Sequence, residues 1–190
     1  MQHRLIVITG ATGTGKTTVS RYLTQTYNIQ RVMTHTTRPK RFNEVEGIDY
    51  AFETPESFDR NHYIEDVTYA GYRYGSSYES LYAAWERHAF ASIVLDTKGA
   101  ITYAQKLGAA VNTLFLTIED PAILKSRLLA RGDDPKMVSA RLASPEYQRD
   151  LVLPAELQAS ATVIANDDWP RAQQAIDQFM KQLAKTVTGF

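Results

Sequence analysis

The chain has 190 residues, enough for one domain with a substantial core. Hydrophobic residues make up 44 % and charged residues 22 %, and 21 Lys+Arg against 21 Asp+Glu leave no overall charge to draw the chain onto nucleic acid or membrane. There is no cysteine, which excludes disulfides, zinc–thiolate sites and cysteine nucleophiles and fits a reducing compartment.

The apolar run at residues 5–9 predicts a buried strand, and it is too short for a signal-peptide core. No stretch approaches the roughly 20 apolar residues of a membrane span, so a cytoplasmic protein is expected. Directly after the strand comes Gly10-Ala11-Thr12-Gly13-Thr14-Gly15-Lys16-Thr17, which fits G-x-x-x-x-G-K-[ST], and Thr18 continues into a helix expected over 14–27. Glycines in such a loop let backbone N–H groups turn inward around phosphate oxygens, and the helix N-terminus adds partial positive charge. Lys16 is expected to bridge the β- and γ-phosphates, and the Thr17 hydroxyl to hold Mg²⁺.

Residues 31–82 are rich in Tyr, Thr, Gly and Arg with short alternating segments, which predicts a small β-rich insertion. Within it, Arg38, Lys40 and Arg41 lie close together, with hydroxyls before them and Tyr50 after; arginines with a tyrosine hydroxyl suit a phosphate dianion. Further apolar runs at 93–96 and 113–118 predict strands. Asp120-Pro121 starts a helix running to Arg131 and closed by Gly132. The polar segment 133–153 carries Arg141 and Arg149 and suggests a helical flap. A last strand is expected at 162–165 and a closing helix at 170–187, with Ile176, Phe179, Met180 and Leu183 at helical spacing. The alternation points to an α/β fold with a largely parallel sheet.

A phosphate loop alone does not name a reaction. Asp96-Thr97-Lys98-Gly99 formally matches the D-x-x-G of a GTPase, but no [NT]-K-x-D follows to read guanine in the donor site. The chain is short for an ATP-driven motor. A small-molecule kinase remains, with Asp96 either a strand-end carboxylate near the metal or acceptor, or a helix cap.

The chain resembles the guanylate kinase family along nearly its whole length. Thr36-Thr37-Arg38-Pro39-Lys40-Arg41 followed by Glu44, Gly47, Asp49 and Tyr50 is similar to that family's T-T-R-x-x-R and G-E-x-x-G-x-D-Y. Tyr63-Ile64-Glu65, Gly71-Tyr72-Arg73-Tyr74-Gly75-Ser76, Val94-Leu95-Asp96, the arginines 127, 131 and 141, and Val163-Ile164-Ala165-Asn166-Asp167-Asp168 follow in the family's order.

The resemblance implies a P-loop core (about 1–33, 83–132 and 154–190), an acceptor-binding insertion (about 34–82) and a lid (about 133–153), forming one domain that converts GMP to GDP with Mg·ATP, with dGMP left open as a second acceptor. ATP and GMP are the expected partners, with neither nucleic acid nor membrane, and no segment speaks to oligomeric state. The resemblance places Arg38, Arg41, Tyr50 and Tyr74 on the acceptor phosphate. It places Glu65, with Thr34, Gly75, Ser76 and Asp96, around the base, and Asn166 near the donor adenine. Arg131 and Arg141, supported by Arg127, would close on the γ-phosphate.

Some positions depart from the family. Lys98 stands where a second acid is usual, Asn43 replaces a glycine, Thr34 replaces a serine, and the lid is about one residue short. These leave the phosphate clamp intact and the base pocket altered, so two other readings stay open. One is a same-fold kinase for another phosphorylated acceptor such as ribose 1,5-bisphosphate; the other is a non-catalytic binding module.

Overall fold

Every side chain from Leu5 to Ile8 is fully buried, because the strand that carries them lies in the middle of a sheet covered on both faces. The computed structural model describes residues 3–42, 44–69, 71–130 and 134–187. In chain order these form β1 (Arg4–Thr9), α1 (Lys16–Tyr27), β2 (Gln30–Arg31), β3 (Thr34–Thr36), β4 (Ala51–Phe52), α2 (Pro55–Phe58), β5 (Tyr63–Tyr69), β6 (Tyr72–Ser77) and α3 (Tyr78–Arg87). Then come β7 (Phe90–Val94), α4 (Thr97–Leu107), β8 (Val111–Thr117), α5 (Pro121–Ala130), α6 (Pro135–Leu142), α7 (Pro145–Asp150), β9 (Ala161–Ala165) and α8 (Trp169–Val187).

The main sheet is five-stranded and parallel, in the order β2-β7-β1-β8-β9. Side chains alternate across β1. Leu5 and Val7 pack with Leu81 and Ala84 of α3 and Ala100 and Tyr103 of α4. Ile6 and Ile8 pack on the other face with Val19 and Leu23 of α1 and Ile176, Phe179, Met180 and Leu183 of α8. The expected periodicity of the closing helix is therefore the one that is buried. A third, smaller cluster joins Ala11, Ile118, Leu124 and Tyr147, so α7 rests against the glycine-rich loop.

The second sheet has the order β4-β3-β6-β5, with β3 antiparallel to β6 and β6 antiparallel to β5. It fills the segment expected to be β-rich, but that segment also contains α2, and α3 starts inside it at Tyr78. Ser77 caps α3 by accepting the Ser80 N–H. Helix α4 has no counterpart in the sequence reading. Its start is signalled by Asp96, which lies beyond the end of β7 and caps the helix through the Gly99 N–H. The expected strand at 93–96 therefore ends sooner, at Val94. Residues 134–153 hold two helices, because Ser144 caps a new start and Pro145 takes its first turn. The expected end of α5 at Arg131 and Gly132 lies outside the described residues. Among the described residues no helix is long and apolar enough to cross a membrane.

Candidate active site

The loop between β1 and α1 is pinned from both sides. Gly10 has φ 129°, and a Cβ there would run into the Leu116 carbonyl of β8. Gly15 has φ 94°, and a Cβ there would run into the Asn166 side-chain amide. Only glycine meets both the dihedral and the approach. These glycines also delay α1, which starts at Lys16 rather than at residue 14. Ala11 and Thr14 face inward: Ala11 is packed, and the Thr14 hydroxyl donates to the Ala11 carbonyl at 2.8 Å.

Lys16 lies over this loop, its Nζ donating to the Gly10 carbonyl at 2.6 Å and the Ala11 carbonyl at 2.9 Å. Burial pushes its pKa down to about 8, against the opposing pull of Asp150 and Asp96. Those carboxylates are thus close enough to Lys16 to act on it. Thr17 and Thr18 are exposed on the first turn of α1. A cavity of about 550 Å³ opens here, lined by Thr12, Lys16, Thr17, Arg127, Asn166 and Trp169 among others. Asn166 is buried, and its Nδ2 donates to the Thr14 carbonyl at 2.7 Å. Its own carbonyl accepts from Arg127 Nη2 at 2.9 Å, and Asp167 O accepts from the same nitrogen at 3.2 Å. Asn166 therefore braces the loop as well as lining the cavity. These two carbonyls hold Arg127 at the cavity wall.

The second sheet assembles the other half through its register. Thr34 of β3 stands opposite Ser76 of β6, and Ser76 stands opposite Glu65 of β5. Thr36 is paired with Tyr74 in the same way, so Thr34, Ser76, Glu65 and Tyr74 share one face. The register between β5 and β6 shifts between Tyr63 and Glu65; without that bulge Ile64 would oppose Ser76. Gly75 points the other way. A Cβ on it would meet the Tyr63 ring at 2.5 Å, so the role visible for Gly75 is to admit that ring rather than to touch an acceptor.

Arg38 is well buried and grips Glu44 with Nη2, at 2.7 and 2.9 Å to the two carboxylate oxygens. Its guanidinium lies 5.8 Å from the Tyr50 ring centre, and Tyr50 and Tyr74 have ring centres 6.3 Å apart. Arg41 is exposed, and its backbone N–H donates to Glu44 at 2.9 Å. The side-chain bond from Arg38 and the backbone bond from Arg41 hold the Glu44 carboxyl below the usual carboxylate range. Glu44, although part of the quoted motif, was not expected in the site; it is the counter-ion about which the basic cluster is organised.

At the far end, Glu65 Oε2, Ser76 Oγ and Tyr103 Oη are buried and have no hydrogen-bond partner among the described residues. Ser76 and Tyr103 face each other without meeting hydrogen-bond geometry. Burial, with Asp96 and Asp66 behind it, pushes the Glu65 pKa up to about 7, and Lys98 opposes this weakly. Unpartnered buried polar atoms are uncommon, and several together mark a place where a polar ligand completes the pairing. Lys98 is exposed on α4, whereas Asp96 is the acid beside Glu65. Asp96 caps α4 and is close enough to Glu65 to act on its carboxyl.

Arg141 of α6 is exposed, and Arg131 lies outside the described residues. Arg149 of α7 was not expected in the site. Its Nη2 donates to Asp96 Oδ2 at 2.7 Å, a link across 53 residues that no local motif signals.

Comparison with known proteins finds relatives over most of the chain. A profile described as guanylate kinase matches residues 2–183. The guanylate kinase of Chlamydia caviae is 31 % identical over 91 % of this chain and 85 % of its own length. That of Neisseria meningitidis is 30 % identical over 90 % and 83 %. Among solved structures, guanylate kinase from Anaplasma phagocytophilum superposes with a TM-score of 0.64 at 22 % identity, over 97 % of this chain and 86 % of that one.

Proposed function

The chain belongs to the guanylate kinase family, and from that membership we infer that it is an ATP-dependent nucleoside monophosphate kinase converting GMP to GDP. The observation that carries the site assignment is the register of the second sheet. It sets Glu65 beside Ser76 and Thr34 on the face that also bears Tyr74. Guanine presents a ring N–H and an exocyclic amine side by side, and an ionised carboxylate accepts from both; adenine's edge cannot supply that pattern. Asp96 acts on Glu65 more strongly than Lys98 does, and an acid beside Glu65 favours GMP over a sugar bisphosphate. dGMP differs only at the ribose and enters the same site in this reading.

In the reaction, an oxygen of the acceptor phosphate forms a bond to the γ-phosphorus of ATP. The bond from that phosphorus to the β-phosphate oxygen breaks, and its electron pair leaves with ADP. No protein nucleophile is needed. Positioning and charge neutralisation carry the catalysis. Lys16 swings from the Gly10 and Ala11 carbonyls to the β- and γ-phosphates. Arg38, Arg41, Tyr50 and Tyr74 hold the acceptor phosphate, with Glu44 yielding or sharing Arg38. Arg127 meets the donor phosphates from the cavity wall, and Arg141 and Arg131 approach with the lid. Lid closure excludes water and suppresses ATP hydrolysis. Mg²⁺ takes most of its ligands from phosphate and water, a demand that the exposed Thr17 hydroxyl fits. When bound with ATP, it neutralises phosphate charge. In this reading the main sheet and its helices are the core, residues 34–82 the acceptor arm and 133–153 the lid.

The test is ADP release with Mg·ATP against GMP, dGMP, AMP, CMP, UMP, IMP and ribose 1,5-bisphosphate. Selective turnover of GMP is expected. A better acceptor than GMP would overturn the base assignment, and no turnover with any acceptor would point to a binding module.

A further inference from the structure

One side chain joins the lid to the base end of the acceptor pocket. Arg149 Nη2 donates to Asp96 Oδ2 at 2.7 Å, and its Nε donates to Thr97 Oγ1 at 3.1 Å and Asp150 Oδ1 at 2.9 Å. Thr97 Oγ1 donates in turn to Asp150 Oδ1 at 2.5 Å, so α7 is fastened to the first turn of α4. Asp96 Oδ1 accepts the Gly99 N–H at 2.7 Å. Glu65 lies against that glycine: its Oε2 is 2.5 Å from where a Cβ on Gly99 would stand. A continuous line of contacts therefore runs from Arg149 through Asp96 and Gly99 to Glu65.

We propose that Arg149 is a positioning residue for acceptor selection. It holds Asp96 at the N-terminus of α4 and offsets its charge, so that Glu65 meets the base as a hydrogen-bond acceptor when α7 is seated. The proposal rests on the GMP reading. Other charged or titratable groups around Glu65 are Lys98 and Tyr103 of α4 and Asp66 on its own strand, with Ser76 opposite. Lys106 of α4 is committed to the Ile64 carbonyl at 2.6 Å. Asp96 and Asp66 oppose ionisation of Glu65, and Lys98 favours it. Arg149 is the ion-pair partner that tempers Asp96 from the lid side.

The experiment is a ¹³C NMR titration of the Glu65 carboxyl in the substrate-free protein, assigned with Glu65→Gln, run beside the pH profile of kcat/KM for GMP. The variants are Arg149→Gln, Arg149→Lys, Asp96→Asn and Asp96→Asn/Arg149→Gln. In Arg149→Gln the Glu65 midpoint should rise by about half a pH unit, or about three-fold in proton affinity. Arg149→Lys should hold the wild-type midpoint, and on the Asp96→Asn background Arg149→Gln should move nothing. For Arg149→Gln, kcat/KM for GMP should fall about three-fold on the acid side and return to the wild-type level at alkaline pH. An unmoved midpoint, an equal shift with and without Asp96, or a pH-independent loss of kcat would overturn the proposal. The titration needs no substrate, so the expected shifts without GMP turnover would defeat the GMP assignment and leave the Arg149 linkage standing.

Discussion

The Asn166 side-chain amide occupies the space in which a Cβ on Gly15 would stand, and from there it donates to the Thr14 carbonyl at 2.7 Å. The end of β9 thus braces the phosphate loop from behind. Gly15→Ala should be destabilising for two separable reasons: a left-handed φ of 94°, costing about 1–2 kcal/mol, and the clash with Asn166. Asn166→Ala removes the clash alone. In chemical denaturation, Gly15→Ala on an Asn166→Ala background should therefore cost less than Gly15→Ala by itself. Equal costs in both backgrounds would show that the contact carries no strain.

The half-buried Lys16 makes function and stability pull in opposite directions. Its folded-state pKa of about 8 lies below the ordinary 10.5. Below about pH 8 the fold bears the cost of a buried charge, and that cost is relieved as pH rises from about 8 towards 10.5. Lys16→Met should stabilise the substrate-free protein at pH 7 by about 2–3 kcal/mol and lower kcat by about a thousand-fold or more. Thermal unfolding and turnover of the same preparation check both halves.

The phosphate loop, the strands around it and the closing helix are legible in the sequence because each depends on local chemistry. Glycines precede a lysine, β-branched runs make buried strands, and Ile176, Phe179, Met180 and Leu183 recur at helical spacing. What escaped depends on distance. Helix α4 is short and half-exposed, and its clearest local mark is the cap at Asp96, a residue that also acts on Glu65. The turning of Gly75 away from the acceptor face follows from strand pairing, which a single strand does not reveal. Arg149 joins the site only because α7 folds back onto α4.

Arg38 and Glu44 form a largely buried pair, at 10 % and 14 % side-chain exposure. Arg38→Met leaves Glu44 without its partner and should lower stability. Arg38→Met/Glu44→Gln should recover most of that stability. Neither variant should bind GMP well: KM should rise about ten- to a hundred-fold in both, because the acceptor phosphate loses its guanidinium. Recovery of GMP affinity in the double variant would show that Arg38 serves the fold rather than the ligand.

Glu65 predicts a pH dependence of opposite sign for folding and for turnover. Its folded pKa, about 7, lies above the ordinary 4.5, so the native state holds a proton that the unfolded chain releases. Stability should therefore decline as pH rises from about 4.5 through 7, by up to about 3 kcal/mol relative to Glu65→Gln. Turnover should do the reverse, because guanine's N–H groups need the ionised carboxylate: kcat/KM for GMP should climb across about pH 7. Binding of GMP at pH 6.5 should release protons, which calorimetry in buffers of different ionisation enthalpy reads directly. Glu65→Gln should abolish both the release and the acid limb, and lower kcat/KM for GMP by about a hundred-fold or more, since an amide cannot accept from both donors. A full acid limb surviving in Glu65→Gln would assign that proton to another group and remove Glu65 from the base pocket.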